Sequence, residues 1–175
     1  MPNRMTRDAA IKILQQGGVG VMPTDTIYGL VGQALNPETA KRIRELKGRP
    51  NRKPFIVLIS SLSDLKKFKV NPPPFTLKII HQVWPGPVSI IFSKTLACRL
   101  PASAPLRELL KQTGPLIATS ANPTSEPPAQ TISMAKKYFG PAGHGIDFYL
   151  AGKTASKKPS TLIKIKQGKI IIIRP

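Results

Sequence analysis

Val19-Gly20-Val21-Met22-Pro23-Thr24-Asp25-Thr26-Ile27-Tyr28-Gly29-Leu30 is the stretch on which the reading of the fold turns. Val19 to Met22 is an apolar run of strand length, entered from the breaker Gly17-Gly18 and left through proline, two hydroxyls and a carboxylate. Ahead of it, Thr6 stands where it can cap a helix whose apolar positions Ala9, Ala10, Ile13 and Leu14 recur at helical spacing. A helix, a breaker, a buried strand and a polar turn make one α/β unit.

The pattern repeats outward from this unit. Asn36-Pro37-Glu38 opens a second helix with a cap, a first-turn proline and an acid at the positive end of the dipole. Phe55 to Ile59 reads as a strand, and Ser63 is placed to cap a short helix running to Phe68. A helix from about Phe75 to Val83 leads into the rigid turn Trp84-Pro85-Gly86-Pro87 and strand Val88 to Phe92. A helix near Pro105 to Lys111, a strand Pro115 to Thr119 and a helix Thr131 to Phe139 follow. Strands Thr161 to Lys166 and Lys169 to Ile173, joined by Gln167-Gly168, form the strongest hairpin signal. Alternating elements with a terminal hairpin predict an α/β fold: one domain, a twisted open mixed sheet and flanking helices.

Composition narrows the chemistry. A chain of 175 residues has room for one core burying roughly 70% of its unfolded surface. No apolar run is long enough to span a bilayer and no signal sequence opens the chain. With a single cysteine, Cys98, this places the protein in a reducing cytoplasm. Lysine and arginine number 27 against 8 acids, a net charge of +19, which attracts nucleotides or nucleic acid without choosing between them. The acids are scattered and only His81 and His144 are present, so a zinc centre, a paired-carboxylate glycosidase and a Cys-His hydrolase are disfavoured.

Three motifs are expected at carboxyl ends of strands, where open α/β sheets place their sites: Pro23 to Gly29, the basic loop Lys47-Gly48-Arg49-Pro50-Asn51-Arg52-Lys53-Pro54, and Ser120-Ala121-Asn122. Each also has a plainer reading. Thr24-Asp25-Thr26 can satisfy local backbone donors, the cations can form a solvated loop, and Ser120-Ala121-Asn122 can be a simple turn. Trp84 reads as packing rather than as a stacking platform, and Asp25 as a loop organiser rather than a base. No glycine-rich phosphate loop of the Gly-x-x-x-x-Gly-Lys-Ser/Thr type occurs, so a bound triphosphate would be held by side-chain cations and hydroxyls.

Taken in order, Pro23-Thr24-Asp25-Thr26-x-Tyr28-Gly29-Leu30, Lys47-x-Arg49-Pro50-x-x-Lys53-Pro54, Trp84-Pro85-Gly86-Pro87, Arg99-x-Pro101, Ser120-Ala121-Asn122, Pro159-Ser160-Thr161 and Arg174-Pro175 resemble the YrdC-like family. That family includes threonylcarbamoyl-AMP synthases of the TsaC type. The resemblance covers residues 6–175 as one YrdC-like domain, without the extra carboxyl-terminal domain of longer relatives. It implies formation of threonylcarbamoyl-AMP and pyrophosphate from L-threonine, bicarbonate and ATP, by a nucleotidyltransferase serving the threonylcarbamoyladenosine modification of tRNA. Magnesium would ride on the ATP phosphates with no protein-built metal site, and separate threonylcarbamoyl-transfer proteins would take the product.

Carried over residue by residue, the resemblance implies catalytic roles for Lys47, Arg49, Ser120 and Asn122. ATP contacts fall to Arg49, Lys53, Thr95, Ser120 and Arg174, and threonine contacts to Thr26, Arg99, Ala118 and Ser160. Ser125 replaces a common glycine and Leu58 a polar residue of some relatives. The competing expectation is a module that binds double-stranded RNA or tRNA on the same basic surface without catalysis, its affinity falling steeply with salt.

Overall fold

A computed structural model describes residues 5–48, 54–154, 156 and 158–175 of the chain. Helix α1 (Arg7–Gln15) begins as its sequence dictates, with the Thr6 hydroxyl accepting from the Ala9 amide at 3.2 Å. Helix α2 (Pro37–Lys47) starts where Asn36 Oδ1 accepts from the amides of Glu38 and Thr39, and it stops at Gly48, whose left-handed backbone suits glycine. Helices α3 (Pro74–Val83), α4 (Ala104–Thr113) and α5 (Ile132–Phe139) lie within a residue or two of their expected bounds.

Among the described residues nine strands form one open sheet in the order β7-β1-β2-β6-β3-β5-β4-β8-β9. They are β1 (Gly20–Pro23), β2 (Tyr28–Gln33), β3 (Phe55–Leu58), β4 (Val88–Ile91), β5 (Leu96–Arg99), β6 (Leu116–Ser120), β7 (Phe148–Tyr149), β8 (Thr161–Lys166) and β9 (Lys169–Arg174). The β1–β7, β3–β5 and β4–β8 pairs are parallel and the others antiparallel, so the sheet is mixed as expected.

Three strands escape the sequence reading: β2, β5 and β7. Because β2 pairs antiparallel with β1, the motif Thr24 to Ile27 is the turn of a hairpin. Two more expectations need correcting. Residues 62–68 form a 3-10 helix preceded by Ser61, whose side chain makes no capping bond; Asp64 instead reaches back to the Ser60 amide and hydroxyl. The basic loop leaves helix α2 and enters β3, so it precedes a strand where a strand's carboxyl end was expected.

Both faces of the sheet are covered, but unequally. Ile43 of α2 and Ala135 and Phe139 of α5 pack on Val19, Val21, Leu30 and Ile117; Ile79 and Ile80 of α3 continue that layer over Val57, Ile90 and Cys98. On the opposite face Ala10, Ile11 and Leu14 of α1 and Leu106, Leu109 and Leu110 of α4 cover Met22, Val31, Leu58 and Leu116. Further along that face the inward positions are Ala97, Ser89 and Arg99, side chains too small or too polar to seat an amphipathic helix. The site occupies this part of the sheet. Trp84 is a core residue, its indole N–H donating to the Val88 carbonyl at 2.6 Å and its ring edge-on to Phe92.

Candidate active site

Strand register puts the main side chains on one surface. Arg99 pairs with Leu58 and Leu58 with Leu116, and alternation along β6 carries the same face through Ala118 to Ser120. The β1–β2 turn adds Thr24, Thr26 and Ile27, and the chain returning into β8 and out of β9 adds Pro159, Ser160 and Arg174. Together with Gly29, Thr119 and Pro128 these residues line a cleft of about 160 Å³. Pockets for drug-sized ligands run to about 300–1,000 Å³, so this space suits one small polar molecule, with anything larger extending outward. The cleft lies on a sheet face near strand ends: the Thr24–Ile27 turn follows β1, and Arg99, Ser120 and Arg174 close β5, β6 and β9.

Arg99 is the electrostatic centre. Its side chain is 3% exposed, and Nη1 donates to Asp25 Oδ1 at 2.6 Å, a carboxylate itself only 5% exposed. Asp25 Oδ2 accepts from the Ala102 amide, which ties the β1–β2 turn to the segment after β5. Nη2 reaches Thr26 Oγ1 at 3.5 Å. Arg99 Nε has no partner, and among the described residues it is the one fully buried side-chain nitrogen or oxygen so left. An orphaned donor on a guanidinium that lines a cleft is what a bound anion would satisfy. Burial pulls the Arg99 pKa below the ordinary arginine range; Asp25 pushes it back up and the like charge of Arg174 adds to the fall.

Hydroxyls and a second arginine surround this centre. Thr24 Oγ1 donates to the Ile27 carbonyl at 2.7 Å and lies 3.1 Å from Thr26 Oγ1, so the motif closes its own turn and still presents hydroxyls to the cleft. Arg174 donates through Nε and Nη2 to the Ser160 carbonyl, while Ser160 Oγ meets the buried Ser89 Oγ at 2.8 Å. No carboxylate pairs with Arg174 among the described residues, and burial lowers its pKa. Two arginines line one small space and the single carboxylate bound to them among the described residues, Asp25, pairs with Arg99, which leaves the cleft positive.

Of the residues singled out in the sequence, Thr26, Arg99, Ala118, Ser120, Ser160 and Arg174 converge on the cleft. Lys47 and Asn122 stand behind its wall. The Lys47 ammonium, on a side chain 4% exposed, donates to the carbonyls of Ser120 and Asn122 at 2.6 Å each and to Asn122 Oδ1 at 3.2 Å. The Asn122 amide donates to the Pro123 and Glu126 carbonyls. Thr95 is exposed in the β4–β5 turn, beside Ser93, and does not line the cleft. Arg49 and Lys53 lie outside the described residues. Thr24 joins the lining although only Thr26 was singled out, and the repeated Thr-x-Thr was the available signal.

A mixed sheet whose one face is left partly open beside two arginines defines an α/β protein with a small positive cleft. Comparison with known proteins makes this specific. The Sua5/YciO/YrdC family model, described as "Telomere recombination", matches residues 12–175, and the chain belongs to that family. It is 30% identical to the threonylcarbamoyl-AMP synthase of Hahella chejuensis, over 93% of this chain and 95% of that one. It is 29% identical to the threonylcarbamoyl-AMP synthase of Pyrococcus abyssi, over 95% of this chain and 52% of that one. The crystal structure of P. abyssi Sua5 complexed with L-threonine superposes with a TM-score of 0.86 at 26% identity, covering 99% of this chain and 55% of that one. The chain thus spans about half the length of the Pyrococcus protein.

Proposed function

We propose that this protein is a threonylcarbamoyl-AMP synthase, joining L-threonine, bicarbonate and ATP into threonylcarbamoyl-AMP and pyrophosphate. The observation that carries the reading is the buried Arg99, held by Asp25 yet with an unpartnered Nε, in a cleft of amino-acid size beside Thr26. The near full-length match to the Hahella synthase and the threonine-bound state of the Pyrococcus structure support it.

In this reading the threonine carboxylate docks on Arg99 and its hydroxyl meets those of Thr24 and Thr26. The amine then faces Ala118 and Ser120. It attacks the bicarbonate-derived carbon, losing a proton and expelling the oxygen as water or hydroxide. A carbamate oxygen next attacks the α-phosphorus, and pyrophosphate leaves. Positioning and charge neutralisation carry such a reaction. Arg174 and the Ser120 hydroxyl face the nucleotide side, and Arg49 and Lys53 are assigned to the triphosphate. Magnesium, when bound, would be carried by the ATP phosphates and supply charge neutralisation there; among the described residues no three His, Cys, Asp or Glu side chains converge.

A cytoplasmic location, delivery of product to threonylcarbamoyl-transfer proteins and contact with tRNA belong to the same proposal. Among the described residues no helix is long and apolar enough to cross a membrane. The deciding experiment is pyrophosphate release with each substrate omitted in turn. Release that requires threonine, bicarbonate and ATP together is expected; release indifferent to threonine rejects the proposal.

A further inference from the structure

We infer that Lys47 is a positioning residue, which acts on the substrate through the Ser120 hydroxyl and never touches the nucleotide itself. The inference deepens the synthase reading and rests on it. An ammonium has three N–H donors. Two point at the carbonyls of Ser120 and Asn122, both at 2.6 Å, and the third is shared between Asn122 Oδ1 at 3.2 Å and Ser120 Oγ at 3.4 Å. These four oxygens face the ammonium, and Lys47 is absent from the cleft lining while Ser120 is part of it.

The consequence for Ser120 is chemical. Its carbonyl and hydroxyl oxygen both face a cation, so the hydroxyl accepts from behind and its own hydrogen is left for the cleft. Ser120 therefore meets an incoming oxygen anion as a donor, the polarity an adenylate-forming step requires. The backbone reinforces the arrangement: the Thr124 amide and hydroxyl both donate to the Lys47 carbonyl, at 2.9 and 2.7 Å. The carboxyl end of helix α2 is thereby clasped to the loop after β6.

The test is a double-mutant cycle on pyrophosphate release, with kcat and the KM for ATP measured separately. Ser120→Ala and Lys47→Met are each expected to lower kcat roughly 10- to 100-fold, the worth of a hydrogen bond involving a charged group. The double variant should fall no further than the worse single, and the KM for ATP should stay within about twofold in Lys47→Met. Losses that multiply, with a raised KM for ATP in both backgrounds, would overturn the inference and place Lys47 on the nucleotide. Should Lys47→Met fail to fold, the cycle of Thr124→Val with Ser120→Ala decides by the same criterion, non-additive loss supporting and independent losses overturning. A wild-type chain that releases no pyrophosphate overturns this inference and the synthase reading together, whereas multiplicative losses in an active enzyme overturn the inference alone.

Discussion

Replacing Asp25 by asparagine should cost this protein about 3–5 kcal/mol, the range for breaking a buried ion pair by removing one partner. The size follows from burial: side-chain exposures of 3% for Arg99 and 5% for Asp25 leave little water to screen the charge that remains. The variant keeps an acceptor for the Ala102 amide but turns an amide dipole toward a guanidinium that stays charged in proteins. Burial already pulls the Arg99 pKa down while Asp25 holds it up, so removing the carboxylate removes the compensating charge. For a domain of this size each kcal/mol shifts the melting temperature by roughly 2–4 °C, giving an expected fall of roughly 6–20 °C. Urea unfolding with an unchanged m-value would separate lost stability from a changed denatured state. The double variant Asp25→Asn/Arg99→Met should be more stable than Asp25→Asn, because it leaves no lone buried charge. A loss below about 1 kcal/mol in Asp25→Asn would refute the reasoning, since that is the worth of a solvated surface pair.

Arg99→Lys should raise the threonine KM at least tenfold while the ATP KM changes little, because a point ammonium cannot reproduce a planar fork; equal changes in both constants would move Arg99 away from the amino acid. Gly20→Ala should destabilise by about 1–3 kcal/mol in a thermal melt, since a methyl there would meet the fully buried Phe148 ring at 2.1 Å. Acid should unfold the protein through its depressed carboxylates. Burial raises the pKa of Asp64 and Asp147, but hydrogen bonds from Lys67 and Ser60, and from Arg42 and Val19, outweigh it and leave both lowered. Folded values below the unfolded one give stability present above about pH 4 and lost as pH falls through the folded values. Asp64→Asn should therefore flatten the dependence of stability on pH between about 5 and 2, and an unchanged slope in chemical denaturation would exclude the linkage.

The sequence was legible where a local chemical device ends an element. Thr6, Asn36 and the Gly17-Gly18 breaker act within a few residues of themselves, and the helices they bound stand where expected. It was opaque where pairing is non-local. In β2 the glycines Gly29 and Gly32 interrupt the apolar pattern; a methyl on Gly32 would meet the Thr39 methyl at 2.3 Å, so close packing of α2 is what requires the gap. In β5, Ala97, Cys98 and Arg99 alternate between the two sheet faces, and an arginine in a buried strand position carries no apolar signature. Strand-end reasoning finds the Thr24 turn and Ser120; Arg99, which closes the unread strand β5, shares their face because Leu58 pairs with both β5 and β6.

That geometry also explains how so basic a chain keeps so few catalytic groups. The carboxylate nearest the cleft, Asp25, is spent on Arg99 and the Ala102 amide, and the ammonium nearest Ser120 is spent on loop oxygens. Committed in this way, neither can shuttle protons; both hold other groups still. What remains for a ligand is the part of the Arg99 guanidinium not bound to Asp25 or Thr26, the hydroxyls of Thr26 and Ser120, and an arginine with no carboxylate of its own among the described residues. A site so furnished can lower a barrier only by neutralising charge and fixing angles, which suits a reaction whose nucleophile and leaving group both arrive with the substrates. Its pH dependence should then follow the substrate amine and the phosphates, without a protein pKa in the neutral range. A bell-shaped kcat profile centred near pH 7 that vanishes in a His144→Ala or His81→Ala variant would show a protein acid–base group at work and contradict this account.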